Sequence, residues 1–187
     1  LYKNRIKIKH NRFNKNDGFA VNMLKAISMA EGEFVWVIGD DDLLMPNALQ
    51  ELDEILKKNS KIDFFFINSY ILSSICLKKF SIPIKFKNLT KSMQKVSSQK
   101  KSKILDFWDL INPKISYDFL TGIFLAVFRR KMYIKNIHII NQDLIKNKAS
   151  WSSLDIAVPH TKIYANAFAK SKAYFCAKPL DRKSTRL

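Results

Sequence analysis

Apolar residues in the first part of the chain recur first at the spacing of a helix and then as a continuous run. From Ala20 to Ile27 they return every three or four residues, which predicts a helix with Asn16 or Asp17 at its start. The run from Phe34 to Ile38 is apolar at every position, as in a strand that is buried on both faces of a largely parallel sheet. Before this helix, the alternation of Ile6 and Ile8 in residues 5–13 predicts a short strand, so the chain starts with a predicted strand, helix and central strand.

A second helix and a further strand follow. Pro46 suits the first turn of a helix, and leucines at positions 49, 52 and 56 supply its apolar stripe. Residues 62–72 are rich in β-forming side chains and form another strand candidate. This order of elements predicts an α/β sheet with crossover helices.

The second half of the chain is harder to assign. We expect a lysine-rich polar loop up to residue 103, a short amphipathic helix over residues 104–111, and a last helix and strand between Pro159 and Leu180. One domain is expected over residues 1–180. Residues 181–187 are polar and unlike the strand before them, so we expect a non-native or disordered tail there.

The composition is strongly basic. The 187 residues include 33 Lys and Arg against 16 Asp and Glu, which gives a net charge of +17. Between Phe64 and Leu105 there are nine lysines and no acidic residue. Such a field favours anionic partners, whether lipid headgroups, phosphorylated substrates or nucleic acid, although a genome biased toward lysine codons accounts for it equally well. The two lone cysteines are typical of a reducing compartment.

Three consecutive aspartates, Asp40 to Asp42, leave the end of the predicted strand 34–38 after Gly39. In open α/β sheets ligands bind outside the carboxyl ends of the strands, and hard cations take oxygen ligands. A divalent ion would relieve the repulsion between these carboxylates and could bridge to a diphosphate. The alternative is a solvated acidic turn before the helix at Pro46, because Asp is favoured near helix N-termini.

Further residues around the triplet match a known pattern. An Asn-x-Gly-x-x-x-Asn run lies at residues 16–22, an Ala-x-Gly-Glu-aromatic segment at residues 30–34, and the triplet and a Pro follow at residues 40–46. This segment resembles the family 2 glycosyltransferases with a GT-A fold, especially the branch of abequosyltransferase-like enzymes of surface-polysaccharide synthesis. The resemblance implies a nucleotide-sugar donor, Mg²⁺ or Mn²⁺, and sugar transfer to an acceptor hydroxyl, usually with inversion.

The resemblance also implies roles for individual residues. It places Asp40 and Asp42 at the metal or at the donor's ribose and diphosphate, with Asp41 as the second choice. The other residues implied at the donor are Asn16, Gly18 and Asn22. The family's base lies at the start of a late helix, where this chain offers Asp155 or His160.

The implied fold is a GT-A-like, Rossmann-like and mostly parallel sheet with flanking helices. The chain starts inside a strand, so we expect it to lack the first strands, which hold the nucleotide, and to bind donor weakly or not at all by itself. The pair Arg129 and Arg130 could contact phosphate or be solvated.

Two other functions fit parts of the sequence. Palm-type RNA polymerases share a Gly-Asp-Asp turn, but there the acids lie in a hairpin, whereas a helix is predicted here. A basic module could bind an anionic surface or nucleic acid through residues 78–103 without catalysis. The preferred prediction is a cytoplasmic glycosyltransferase of bacterial surface-glycan synthesis. We expect it to use a lipid-linked or glycan acceptor, to touch the inner face of an anionic membrane, and to have no nucleic-acid partner.

Overall fold

The computed structural model describes residues 7–40, 42–73, 93–116, 119–146 and 152–185. In this part of the chain the strands are β1 (Phe34–Trp36), β2 (Leu43–Leu44), β3 (Phe64–Ser73), β4 (Gln94–Lys95), β5 (Lys103–Asp106), β6 (Ala126–Arg129) and β7 (Lys172–Thr185). The α-helices are α1 (Phe19–Met29), α2 (Ala48–Lys58), α3 (Arg130–Lys135), α4 (Gln142–Ile145), α5 (Leu154–Ala157) and α6 (Pro159–Ala167). Short 3₁₀ segments cover Phe107–Ile111, Ile123–Leu125 and Ile137–Ile139.

All of these strands join one sheet. Their order is β1-β6-β3-β7-β2, with β4 paired to β3 and β5 paired to β7. The β3–β7 pairing is parallel, and the other described pairings are antiparallel. The α/β class is confirmed, whereas the pairing differs from the mostly parallel sheet that we expected. A continuous apolar run indicates that a strand is buried but does not encode its direction, and the antiparallel β6 is buried at every position.

The helix α1 agrees with its sequence pattern. Its buried residues are those of the predicted stripe, Ala20, Met23, Leu24 and Ile27. Gly18 precedes it with a φ of 88°, a left-handed conformation that favours glycine. The Asn16 Oδ1 accepts a hydrogen bond from the Gly18 backbone N–H at 2.9 Å. Asn16 therefore shapes the turn before the helix rather than capping the helix itself.

Strand β3 separates the two hydrophobic layers of the core. Phe64 and Phe66 belong to the larger layer, and Phe65 and Ile67 belong to the smaller layer beneath α2. This division follows from the alternation of side chains along a strand. All four side chains are fully buried, so β3 is the double-faced central strand of the described sheet.

The strand before the aspartates is less central than predicted. Among the described strands, β1 lies at one end of the order, and both Phe34 and Trp36 are half-buried while Val35 is buried. The Trp36 indole N–H donates to the Phe124 carbonyl at 2.7 Å, which anchors this end of the sheet. The apolar run at residues 34–38 therefore overstated the burial of this strand.

Two predicted helices also differ in the structure. The helix α2 begins at Ala48 rather than near Pro46, because Asn47 adopts a left-handed φ of 62°. Residues 104–111 form β5 and a 3₁₀ turn with a capping box between Asp106 and Asp109, instead of one amphipathic helix. In the described ranges, no helix is both long enough and apolar enough to cross a bilayer.

The end of the chain differs from the expected disordered tail. Residues 181–185 continue β7, where they pair with β3 and, through positions 181 and 182, with β2. Whether residues 181–187 are native to the protein stays a prediction. The polar composition did not predict a strand here, because backbone pairing with β3 can hold residues of low β propensity.

Candidate functional site

Gly39, Asp40 and Asp42 lie between β1 and β2, in a turn. The Asp42 backbone N–H donates to the Gly39 carbonyl at 3.2 Å, and the Asp42 Oδ2 accepts from the Gly39 N–H at 2.8 Å. Asp42 is 8% exposed, whereas Asp40 is largely exposed. Asp41 lies outside the described residues. The turn therefore presents Asp40 to solvent and uses one oxygen of Asp42 to hold its own backbone.

The carboxylates of this turn are suitable ligands for a divalent metal ion. Carboxylate oxygens suit Mg²⁺ and Mn²⁺, and Asp40 and Asp42 lie two residues apart on one turn. In the described part of the chain, no group of three His, Cys, Asp or Glu side chains could hold a metal ion. A site with two protein carboxylates nevertheless fits Mg²⁺, which is usually held by one or two carboxylates together with substrate phosphates.

A cavity of about 360 Å³ lies where the segment before α1 meets the start of that helix. It contains three of the predicted donor residues, Asn16, Gly18 and Asn22. Arg12 and Lys15 also line it, and the Asp17 carboxylate, 3.7 Å from the Lys15 ammonium, offsets only part of their charge. Asp40 and Asp42 are not among its lining residues. The structure thus groups the polar donor candidates with each other but not with the aspartate turn.

A second cavity, of about 580 Å³, lies at the start of α2. It follows directly in sequence from β2, the strand that leaves the aspartate turn, and apolar side chains from Leu44 to Leu49 line much of it. Leu49 is exposed here rather than packed in the core as its place in the predicted stripe suggested. An apolar cavity is therefore separated in sequence from the aspartate turn only by the strand β2.

Asp155, the first candidate base, lies on α5 and is buried. Its Oδ1 is 2.5 Å from the Lys162 ammonium on α6, and its Oδ2 accepts a hydrogen bond from the Asn141 backbone N–H at 3.0 Å. The carboxylate thus links α5 with α6 and with the start of α4. In this structure Asp155 is held inside the protein by these two partners.

His160, the second candidate base, lies in the first turn of α6 and is 1% exposed. Its Nε2 is 3.2 Å from the Thr121 carbonyl, and its ring packs edge-on against Tyr164. Burial disfavours the charged imidazolium and lowers the pKa of His160 to about 4, although the carbonyls of Thr121 and Leu120 act in the opposite direction. His160 is therefore neutral at pH 7.

The lowered pKa of His160 makes stability depend on pH. Because the native state resists protonation, we expect this contribution to be complete above pH 6.5 and to fall as the pH decreases from 6.5 to about 4. The loss amounts to about 3 kcal/mol, since each unit of pKa shift corresponds to about 1.4 kcal/mol. Urea unfolding at a series of pH values should show a steeper acid loss for the wild type than for His160→Gln.

The exposed His138 serves as the control for this measurement. His138→Gln should keep the pH dependence of the wild type between pH 4 and 6.5. Equal slopes for the wild type and His160→Gln would show that His160 is not buried as a neutral residue.

Arg129, at the end of β6, has a different role from the phosphate contact that its sequence position allowed. Its side chain is only 9% exposed, and its guanidinium forms ion pairs with Glu33 and Asp63. It also donates to the Ser60 carbonyl at 2.7 Å and lies over the Phe34 ring, 4.5 Å from the centroid. Arg129 therefore joins the start of β1 to the start of β3.

A match over most of the sequence shows the family of this chain. Residues 1–130 match the family described as Glycosyl transferase family 2. The chain belongs to this family. The matched residues include the aspartate turn, the cavity before α1 and Arg129, and they end before Asp155 and His160.

Individual relatives agree with this membership. The uncharacterized glycosyltransferase MG060 homolog of Mycoplasma pneumoniae is 32% identical over 82 residues, which are 44% of this chain and 27% of that protein. The crystal structure of S. aureus TarS 1–349 with UDP-GlcNAc has a TM-score of 0.62 at 16% identity, over all of this chain and 44% of that one. TarS without a named ligand has a TM-score of 0.59, over 98% of this chain and 45% of that one. The likeness confirms the GT-A-like fold, and this family 2 chain spans less than half the length of each relative.

Sequence reasoning missed some residues that the structure groups with the candidate site. Arg12 and Lys15 line the cavity with the predicted donor residues, and they immediately precede the Asn-x-Gly run. Their position close to the Asn-x-Gly run could have identified them as cavity residues. Among 33 basic residues, however, no single Arg or Lys is distinctive.

Proposed function

We propose that this chain is part of a glycosyltransferase that moves a sugar from a nucleotide-sugar donor to an acceptor hydroxyl, with inversion, in bacterial surface-polysaccharide synthesis. The observation that carries the proposal is the family match over residues 1–130, which contains an aspartate turn at the carboxyl end of β1. Two of the TarS crystal structures contain UDP-GlcNAc or UDP, which supports a nucleotide-sugar donor. Within the family, we propose the abequosyltransferase-like branch.

The aspartate turn is the proposed metal and diphosphate end of the donor site. Asp40 and Asp42 would hold Mg²⁺ or Mn²⁺, and Asp40 or Asp41 would also meet the donor's ribose and diphosphate. When bound, the ion supplies positive charge that stabilises the leaving diphosphate. Arg12 and Lys15 add positive charge beside the cavity and so favour an anionic donor. The residues proposed around the donor in that cavity are Asn16, Gly18 and Asn22.

Transfer requires a base at the acceptor. The acceptor hydroxyl oxygen attacks the anomeric carbon, the bond from that carbon to the diphosphate oxygen breaks, and the base takes the hydroxyl proton. Asp155 and His160 are the proposed candidates, and the neutral imidazole of His160 is in the form that accepts a proton. Because both side chains are buried, either role requires the region around α5 and α6 to open when acceptor binds.

The acceptor is proposed to be lipid-linked or a glycan, reached from the cytoplasm at the inner face of the membrane. The apolar cavity at α2 supports this proposal, because it offers hydrophobic contact close in sequence to the aspartate turn. A peripheral contact with anionic lipid would keep the enzyme beside such an acceptor. No nucleic-acid partner is proposed.

Calorimetric titration of the full-length protein with UDP-GlcNAc and other nucleotide sugars tests the donor site. We expect donor binding that requires Mn²⁺. The double variant Asp40→Asn/Asp42→Asn should bind roughly tenfold to a hundredfold more weakly, because hydrogen bonds and contacts to charged groups contribute about 1.5–3 kcal/mol.

Asp143→Asn is the matched control, since Asp143 is an exposed aspartate on α4 that pairs with Lys146. It should leave donor binding unchanged. The proposal is wrong if no nucleotide sugar binds the full-length protein, or if the double variant binds donor as tightly as the wild type does.

A further inference from the structure

A basic and apolar surface lies at an edge of the sheet, within residues 100–111. Its first part is β5, which pairs with β7 and, among the described strands, with no other. Leu105 of this strand packs into the core, whereas Lys103 and Ile104 are exposed. Because neighbouring side chains of a strand point to opposite faces, this edge strand exposes a lysine on one face and a large aliphatic side chain on the other.

The 3₁₀ segment after β5 extends the exposed apolar area. Side chains three residues apart eclipse one another in a 3₁₀ helix, so residues 107 and 110 share one side and residues 108 and 111 share another. Phe107 and Leu110 are buried, and Trp108 and Ile111 are each 43% exposed. An aromatic and an aliphatic side chain thus point away from the core over one turn.

The charges around these side chains are mainly positive. Lys100, Lys101 and Lys103 are all exposed. The two acidic residues of this stretch have partners within the protein, since Asp106 pairs with Lys172 at 2.8 Å and Asp109 closes the capping box with the Asp106 backbone N–H. The carboxylates therefore offset the lysine charge only partly.

We propose that this surface docks onto an anionic lipid bilayer. Trp is favoured at the boundary between headgroups and acyl chains, where Ile104 and Ile111 would also bury apolar area. The lysines would lie among the negative headgroups, each strengthening membrane binding roughly fivefold. Nucleic acid fits less well, because it gives the isoleucines no apolar environment. The residues of the proposed docking surface are Lys100, Lys101, Lys103, Ile104, Trp108 and Ile111.

The docking surface specifies which residues would make the membrane contact of the proposed function. The role of that contact rests on the proposed function, because a lipid-linked acceptor would lie in the same bilayer. The binding test itself needs no sugar donor and no acceptor. Loss of the proposed enzyme activity would therefore leave the membrane result unaffected, and the two failures are distinguishable.

Vesicle flotation of the chain tests the surface. We expect the wild type to float with vesicles of phosphatidylcholine and phosphatidylglycerol, to float poorly with phosphatidylcholine alone, and to be released by salt. Lys100→Ala/Lys101→Ala/Lys103→Ala should lower binding roughly a hundredfold. Trp108→Ser should lower it several-fold even at low salt, which a purely electrostatic attraction does not explain.

Matched variants elsewhere separate this surface from general charge and hydrophobicity. Lys58→Ala/Lys61→Ala/Lys131→Ala removes the same charge from exposed positions, and Leu144→Ser removes an apolar side chain that is 40% exposed. Both controls should bind vesicles as the wild type does. Circular dichroism should show each variant folded.

Several outcomes would overturn the proposal. One is the absence of vesicle binding, and another is an equal loss of binding in the surface variants and their controls. Concentration-dependent self-association that Trp108→Ser abolishes, without vesicle binding, would make the surface an interface between copies of the chain. Binding to single-stranded RNA but not to vesicles, lost in the lysine variant, would make it a nucleic-acid site.

Discussion

Replacing Phe64 by Ala is expected to lower the free energy of unfolding by about 4 kcal/mol, as for other fully buried phenylalanines. Four aromatic rings surround Phe64, with centroids 5.0–6.1 Å away: Phe107, Phe119, Tyr164 and Phe168. These rings come from three separate segments, with Tyr164 and Phe168 both at the end of α6, and we expect the cavity to close only in part. Urea unfolding followed by circular dichroism measures the loss, which is large beside a typical total stability of about 5–15 kcal/mol.

Two variants control for this result. Phe19→Ala removes an exposed ring of the same size and should change stability by no more than about 0.5 kcal/mol. Phe64→Leu keeps most of the buried volume and should lose much less than the alanine variant. If Phe64→Ala lost less than about 1 kcal/mol, the larger hydrophobic layer would not be packed around Phe64 as described.

Replacing Arg129 by Met should be the next most damaging change, with an expected loss of about 3 kcal/mol. Breaking a buried ion pair by removing one partner typically costs about 3–5 kcal/mol. We expect the lower end of that range because the Glu33 side chain stays mostly in water, whereas Asp63 and the Ser60 carbonyl lose a partner in a partly buried setting. Equilibrium unfolding in urea measures this loss.

The Asp53–Lys57 pair on α2 provides the comparison, because its two side chains are exposed and its atoms lie 2.6 Å apart. Lys57→Met should lower the free energy of unfolding far less than Arg129→Met, as is usual for exposed helix pairs. Arg129→Lys should recover only part of the stability, since an ammonium group cannot reproduce the fork of guanidinium contacts. If Arg129→Met and Lys57→Met had equal effects, Arg129 would not link β1 with β3.

The contacts of Arg129 also involve the strand that leads to the aspartate turn. Glu33 and Phe34 stand at the start of β1, and the turn with Asp40 follows the end of the same strand. The Arg130 backbone N–H donates to the Glu33 carbonyl at 2.9 Å, which adds a main-chain link at this point. The Gly-Glu segment of the family pattern thus has a packing role in this chain, because its glutamate pairs with a buried arginine.

The sequence alone predicted what depends on neighbours along the chain. The buried stripe of α1 follows from helical spacing, and the strand β3 follows from a β-rich apolar segment. The grouping of Asn16, Gly18 and Asn22 was also predictable, because these residues lie within two turns of one another. Local geometry and side-chain periodicity determine these features.

Only the tertiary structure decided features that join distant residues. Arg129 meets Glu33 and Asp63 across 96 and 66 positions, and His160 became neutral because the fold buries its ring away from water. Strand direction and the division of residues 104–111 into β5 and a 3₁₀ turn likewise depend on pairing with β7. Apolar periodicity in the sequence indicates that a residue is buried. The residues that it contacts, and its protonation state, depend on which distant segments the fold brings together.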